Sequence, residues 1–330
     1  MEETKRIEWV DVAKCFGIFA IWLGHIGPSA GWSYPFVAKF HVPMFFLLAG
    51  CIEYLNKEKN IRKSIKKKVK RLLWPYIFFG ILSMIIQTIQ TDASLGEVKE
   101  WIVLFLKGAT RNTFFAAPLW FFTCLLVIEV VFEFIKRIKY KSCILLISAV
   151  LYIIAIKVFA PPRMLYNVDS AAYYFIYYAI GYIVFPYVNR LLTSETKMGK
   201  WVLGISGVFV GIYTAFIFFQ INLIDFLGKV PYIKLFKPVL MSLLIIWFFL
   251  VLSYLCRNVE IFQKIGKNTL YLCGSEHIVK TCVPRFLEMI GLSFSISNPL
   301  AAYMYIAILL LLTNKWLVPI VKRMMTIGLK

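Results

Sequence analysis

FKPVLMSLLIIWFFLVLSYL, residues 236–255, is a run of twenty residues with one charged side chain, Lys237. A membrane crossing needs about 20 mostly apolar residues at a rise of ~1.5 Å each, and this run supplies them. Similar runs lie on both sides of it. Before it come 7–27, 35–55, 72–90, 118–135, 142–159, 171–188 and 201–219; after it come 268–286, the least apolar of the set, and 299–320. Ten such runs with short connections use nearly all of the 330 residues. The composition agrees: 60% of residues are hydrophobic and only 16% charged, against about a quarter charged in soluble domains. The expectation is an all-α integral membrane protein, one helical bundle of about ten transmembrane helices in a single membrane-embedded domain, 1–330.

The net charge of +20 does not point to a nucleic-acid partner, because the cations fall between apolar runs, as the positive-inside rule requires. With the N-terminus in the cytoplasm, the inside segments carry 24 Lys and Arg residues, among them Lys5, nine from Lys57 to Arg71, and Lys330. The outside segments carry ten, including Lys107, Arg111, Arg163, Lys229, Lys280 and Arg285. Both termini are therefore expected in the cytoplasm of a multi-pass cell-membrane protein. Glu2 and Glu3, together with Asp11 and Lys14 inside the first run, fit a retained span better than a cleaved signal. The seven cysteines lie mostly in apolar runs with no C-x-x-C spacing, so they read as small buried hydrophobes and not as a metal site. The stretch Trp101 to Leu106 is amphipathic; it is either an interfacial helix or an early start of the 118–135 span.

Ionisable groups inside a span are costly and mark function. The first run holds Asp11, Lys14 and His25. At 100° per residue, Lys14 and His25 lie about 20° apart after three turns, and Asp11 neighbours Lys14 at i,i+3. The three share one stripe, with His25 about 16 Å along the axis from Lys14. A competing reading makes Asp11 and Lys14 an interfacial pair and His25 a residue at headgroup level. The other histidines are His41, at the outer start of the second run, and His277 beside Glu276. Glu276 and Lys280 form an i,i+4 couple, and Gly274-Ser275 could break that helix to line a cavity; an ordinary internal ion pair is the alternative.

These residues fall into blocks that resemble the membrane acyltransferase 3 family. Lys14, ten residues, then His25 resembles its R/K-x10-H motif. Phe40-His41-Val42-Pro43-Met44-Phe45-Phe46 through Gly50 is similar to the FHxPxFFxxSG block of the fucose 4-O-acetylase-like, polysaccharide O-acetyltransferase branch. Arg71 to Tyr76 resembles its R-x-x-x-P-Y segment, and Pro118-Leu119-Trp120-Phe121-Phe122 its LWFL block. Gly266 to His277 resembles its late G-x-x-S-x-x-x-Y-x-x-H segment. The blocks occur in the family's order. Lys14 stands for the commoner arginine, Ala49 for serine, and Lys68-x-x-Arg71 for R-x-x-R.

The resemblance implies acyl transfer, usually of acetyl, from cytoplasmic acetyl-CoA to a sugar hydroxyl of a cell-surface or lipid-linked glycan. No metal is implied. His25 would act as general base, the preferred role, or carry the acetyl group itself, with Glu276 and His277 as further catalytic candidates. Lys14, Lys68, Lys70 and Arg71 would bind the donor; His41, Trp120, Glu129 and Tyr271 would bind the acceptor, Glu129 and Glu276 also being candidates to orient the His25 ring. Asp11 lies about 21 Å from His25 by helical rise and cannot orient its ring. The run of cations from Lys57 to Arg71 also reads as plain topology or attraction to anionic lipid. A transporter or flippase of a sugar-linked substrate is the rival class, since intramembrane charges mark transport paths too; no internal repeat supports it.

Overall fold

The computed structural model describes residues 6–159, 164–221, 231–292, 296 and 298–327. Lys5, Arg163, Lys229 and Lys330 of the charge count lie outside the described residues. Among the described residues the regular structure is helical throughout: α1 (Glu8–Gly24), α2 (Ser33–Val37), α3 (His41–Leu55), α4 (Ile61–Thr91), α5 (Leu95–Leu106), α6 (Leu119–Ile135), α7 (Lys141–Ile154), α8 (Val168–Leu192), α9 (Lys197–Phe218), α10 (Pro231–Leu255), α11 (Glu260–Lys267), α12 (Thr269–Met289), α13 (Pro299–Leu312) and α14 (Val318–Ile327). Short π turns extend α7 and join α13 to α14.

Among the described residues seven helical stretches are long and apolar enough to cross a membrane: Ser33–Leu55, Ile61–Thr91, Lys141–Phe159, Leu165–Leu192, Lys197–Phe218, Lys234–Leu255 and Pro299–Met325. The three remaining runs are also helical. However, α1 and α6 have only 17 residues each, and α12 carries Glu276, Lys280, Arg285 and Glu288.

Two elements differ from expectation. The helix α4 begins inside the cationic segment, where the Asn60 side chain caps the Lys63 N–H, and runs for 31 residues through Pro75. Lys and Arg are good helix formers, so the basic stretch becomes the first turns of a crossing helix instead of a loop. The helix α12 passes through Gly274 and Ser275 without a break. A Cβ on Gly274 would fall 2.1 Å from Cδ2 of Phe79, so that glycine serves packing, and the expectation of a discontinuous helix is corrected. The stretch Trp101 to Leu106 belongs to a separate helix, α5, and not to an early start of α6. Its Ser94–Glu97 capping box is complete. The Ser94 hydroxyl and backbone N–H hold the Glu97 carboxyl below its usual range.

The chain forms two compact units, each of non-contiguous segments. The first comprises Met1–Leu55, Gly181–Thr269 and Ser295–Asn314. Its central helix is α1, with 12 of 17 residues buried, packed against α2, α3, α10, α11 and α13. Near its start the Trp9 indole donates to Asn189 at 3.0 Å. The tightest approach is to α11: a Cβ on Gly266 would lie 1.8 Å from the Asp11 carbonyl oxygen, so only glycine lets the two backbones meet.

The second unit comprises Asn56–Ile180, Leu270–Phe294 and Lys315–Lys330. Here α4 packs along α6, and charge fixes the register. Lys68 lies 2.6 Å from Glu133, both side chains almost fully buried. Ser64 donates to the same carboxylate, and Lys136 reaches its other oxygen at 2.9 Å. One helical turn away, an Arg71 nitrogen donates to both oxygens of Glu129. Residues 64, 68 and 71 of α4 thus face 129 and 133 of α6 on matching turns.

Two stability predictions follow from this packing. Gly266→Ala forces α11 off α1 and lowers stability by about 1–3 kcal/mol, the usual cost of overpacking, read as a fall in melting temperature of the detergent-solubilised protein. Glu133→Gln strands the buried Lys68 ammonium and costs about 3–5 kcal/mol, while the Lys68→Met, Glu133→Met double variant costs less, because a buried pair exchanged for apolar groups is often neutral. Equal melting temperatures for the Glu133→Gln and parent proteins would show that the pair does not hold the two helices.

Candidate functional site

The sequence-derived candidates divide between the units. Lys14, His25 and His41 belong to the first; Lys68, Lys70, Arg71, Trp120, Glu129, Tyr271, Glu276 and His277 belong to the second.

In the first unit, the Lys14 ammonium lies 3.2 Å from the Asp11 carboxylate, with both side chains mostly covered. This is the i,i+3 couple expected from spacing. His25 is exposed and takes the C-cap of α1, its N–H donating to the Ile21 carbonyl at 3.1 Å. The helix stops there because Gly27 adopts φ +76 and Pro28 follows in a 3-10 turn. His41, the first residue of α3, sits beside this end: its Cε1 is 3.9 Å from where a Gly24 Cβ would stand. The His41 Nδ1 lies 2.5 Å from the Val37 carbonyl oxygen. A carbonyl only accepts, so Nδ1 carries the proton and a neutral His41 ring has its lone pair on Nε2.

The other face of α1 is different. A cavity of about 520 Å³ is walled by Phe16, Phe19, Leu23, Phe40, Phe249 and Phe262, among other apolar side chains. Phe19 and Leu23 lie about 140° and 180° round the helix from Lys14. This cavity is therefore hydrocarbon-like and stands opposite the polar stripe.

In the second unit, Lys68 is buried in its pair with Glu133, Arg71 is half exposed and paired with Glu129, and Lys70 is exposed. Glu129, named from sequence as a substrate or histidine partner, is thus engaged by Arg71. Glu276 is buried and 2.7 Å from Lys280, the ordinary ion pair. The His277 ring lies 5.2 Å from that of Phe115, its Nε2 buried with no hydrogen-bond partner among the described residues. The Lys322 ammonium stands 5.2 Å over the Tyr271 ring.

Trp120 brings in residues that sequence reasoning did not single out. The Arg111 guanidinium lies 5.0 Å over its ring and donates to the Tyr174 hydroxyl at 3.2 Å. The Arg111 N–H donates to the side-chain oxygen of buried Asn167. Asn167 in turn donates to Gly108 and Thr123. Nothing in the local spacing of Arg111 signals a partner 63 residues away. Glu133 was missed for the same reason: its partner Lys68 is 65 residues away.

Among the described residues no group of three or more His, Cys, Asp or Glu side chains could hold a metal ion. The arrangement provides a polar stripe ending at an exposed imidazole, a second imidazole beside that helix end, and cations at the start of α4.

The profile of the acyltransferase domain matches residues 7–273, a stretch that takes in most of both units. No curated protein matches the chain, and no solved structure does. With apolar helices fit to cross a bilayer and this match over most of its length, the chain belongs to the acyltransferase 3 family and is a multi-pass membrane acyltransferase.

Proposed function

We propose that the protein is an O-acetyltransferase of the fucose 4-O-acetylase-like branch, moving acetyl from cytoplasmic acetyl-CoA to a sugar hydroxyl of a cell-surface or lipid-linked polysaccharide. In this reading ten helices cross the cell membrane and both termini are cytoplasmic. The observation that carries it is the stripe on α1, with the Asp11–Lys14 couple near one end and His25 at the other.

His25 takes the proton of the acceptor hydroxyl as its oxygen attacks the thioester carbonyl. The carbon–sulfur bond breaks, the ester forms, and the imidazolium returns the proton to the departing CoA thiolate. The charge that develops on His25 sits at the carboxyl end of α1, where the helix dipole favours a cation. His41 is fixed through Nδ1 beside that end and serves the acceptor. Lys14 supports the donor. The donor phosphates meet Lys70 and Arg71 on the basic part of α4, and Lys68, held by Glu133, keeps that part of the helix in register. Trp120, Glu129 and Tyr271 belong to the acceptor side in this reading, and Glu276 and His277 to the catalytic groups.

Radiolabelled acetyl-CoA tests the proposal: label should appear on a glycan fraction from membranes containing the protein. Export of the glycan without any label would favour a flippase. His25→Ala should lower transfer by at least 100-fold, the scale of a lost general base, with insertion and expression unchanged; full activity in that variant removes the base. Lys14→Ala should raise the acetyl-CoA concentration needed for half-maximal rate several-fold, with a smaller change in maximal rate. An unchanged requirement would make the Asp11–Lys14 couple purely structural.

A further inference from the structure

We propose that Arg111 is a binding site for the carboxylate of an acidic saccharide, so that the glycan this protein engages carries a uronate-type group. The inference deepens the acceptor reading above and rests on it for the choice of a sugar.

Arg111 differs from the other structurally engaged charges. Asp11, Lys68, Arg71 and Glu276 each have an opposite charge within 4 Å. Arg111 has no carboxylate at that distance among the described residues; its guanidinium rests on the Trp120 ring and the Tyr174 hydroxyl. Both contact partners are neutral, so the guanidinium is positioned without a contact ion pair; the buried Asp169 carboxylate of the same cluster accepts from the Met164 and Ser170 N–H groups. Arg111 is also only partly buried, so a ligand can reach it. A guanidinium offers five N–H groups in a planar fork that matches a carboxylate with two parallel hydrogen bonds, and the Tyr174 hydroxyl takes only one.

The backbone around it adopts uncommon conformations that fix where this side chain starts. Ala109 and Asn112 flank Arg111 with φ 45 and 64, and Tyr166 and Asn167 opposite them have φ 52 and 58. Non-glycine residues in this region persist only where their surroundings over-determine them, and they gather at ligand clamps. Here the surroundings are the Asn167 side chain, which ties Arg111, Gly108 and Thr123 together, and the bond from Tyr166 N–H to the Lys107 carbonyl at 2.8 Å. These bonds fix the Arg111 backbone, and Tyr174 and Trp120 then set the direction of its guanidinium.

A sugar carboxylate fits better than a lipid headgroup. The fork itself matches carboxylate and phosphate alike, but headgroup recognition is typically built from clusters of about four to eight Lys and Arg side chains, whereas Arg111 is flanked in the chain by Thr110 and Asn112 and stacks on Trp120. Exposed Asn112 follows Arg111 in the chain and carries an amide able to bind sugar hydroxyls; the Thr113 hydroxyl donates to the Thr110 carbonyl at 2.6 Å and keeps its lone pairs as acceptors.

The test is calorimetric binding of digalacturonate, and of its neutral methyl ester, to the purified full chain in detergent, with no acyl donor present. The parent should bind the acid at least tenfold tighter than the ester. Arg111→Gln should bring the two to equal affinity, and Arg111→Lys, which keeps the charge but not the fork, should fall between. Equal binding of acid and ester by the parent, or undiminished acid binding by Arg111→Gln, overturns the inference. If Arg111→Gln is not monodisperse, Arg111→Lys decides: unchanged acid affinity overturns it. In nanodiscs, loss of acid binding when phosphatidylglycerol replaces phosphatidylcholine, with Arg111→Gln weakening lipid retention, would assign the site to a headgroup and also overturn it. Transfer from radiolabelled acetyl-CoA is measured separately. Arg111-dependent binding without transfer to any glycan leaves the anion site standing and removes the enzymatic reading. Equal transfer to an acidic glycan by the parent and Arg111→Gln does the reverse.

Discussion

A charge placed in an apolar helix must be answered by an opposite one, because desolvating it alone costs several kcal/mol. That constraint organises this protein more than any single hydrophobic contact does. Asp11 answers Lys14 within one turn of α1, and Glu276 answers Lys280 within one turn of α12. Glu133 and Glu129 of α6 answer Lys68 and Arg71 of α4 across a helix pair. The apolar surfaces are interchangeable in chemistry and would tolerate sliding; the charged couples do not, since a shift of one residue turns a partner about 100° away. Hydrocarbon burial brings the helices together, and the ion pairs select the register in which they stay.

How much of this was legible in the sequence depends on distance along the chain. The apolar runs located the helices because length and hydropathy are local properties, and the pairs at i,i+3 and i,i+4 were readable because a single helix places them. The α4–α6 ladder was not, since its partners lie 65 and 58 residues apart and the same cations satisfy the positive-inside rule without any partner. Glycine misled in one place: Gly274 beside Ser275 suggested a break, yet its missing side chain makes room for the Phe79 ring. Gly266 entered through a family-like block, and the structure supplies its physical reason, the backbone contact with Asp11.

The candidate site shows the same split. The stripe of Asp11, Lys14 and His25 came from helical angles alone. What angles could not supply was its setting: His25 capping its helix, His41 brought beside Gly24, and an apolar cavity on the reverse side. The Arg111 cluster joins a loop to α6 and α8 through Asn167, a meeting that only tertiary structure creates.

The phenylalanine-walled cavity behind α1 has an electrostatic consequence. Coulomb interactions weaken in proportion to the polarisability of what surrounds them, and an aromatic and aliphatic wall offers far less of it than water does. One side of α1 is thus backed by a poor dielectric, with counterions excluded there. The fields of Lys14 and Asp11 are screened mainly from the front, so the attraction between the two is stronger than the same residues would have on an open surface. A hydrophobic hollow that touches no charge still sets how strongly those charges hold each other.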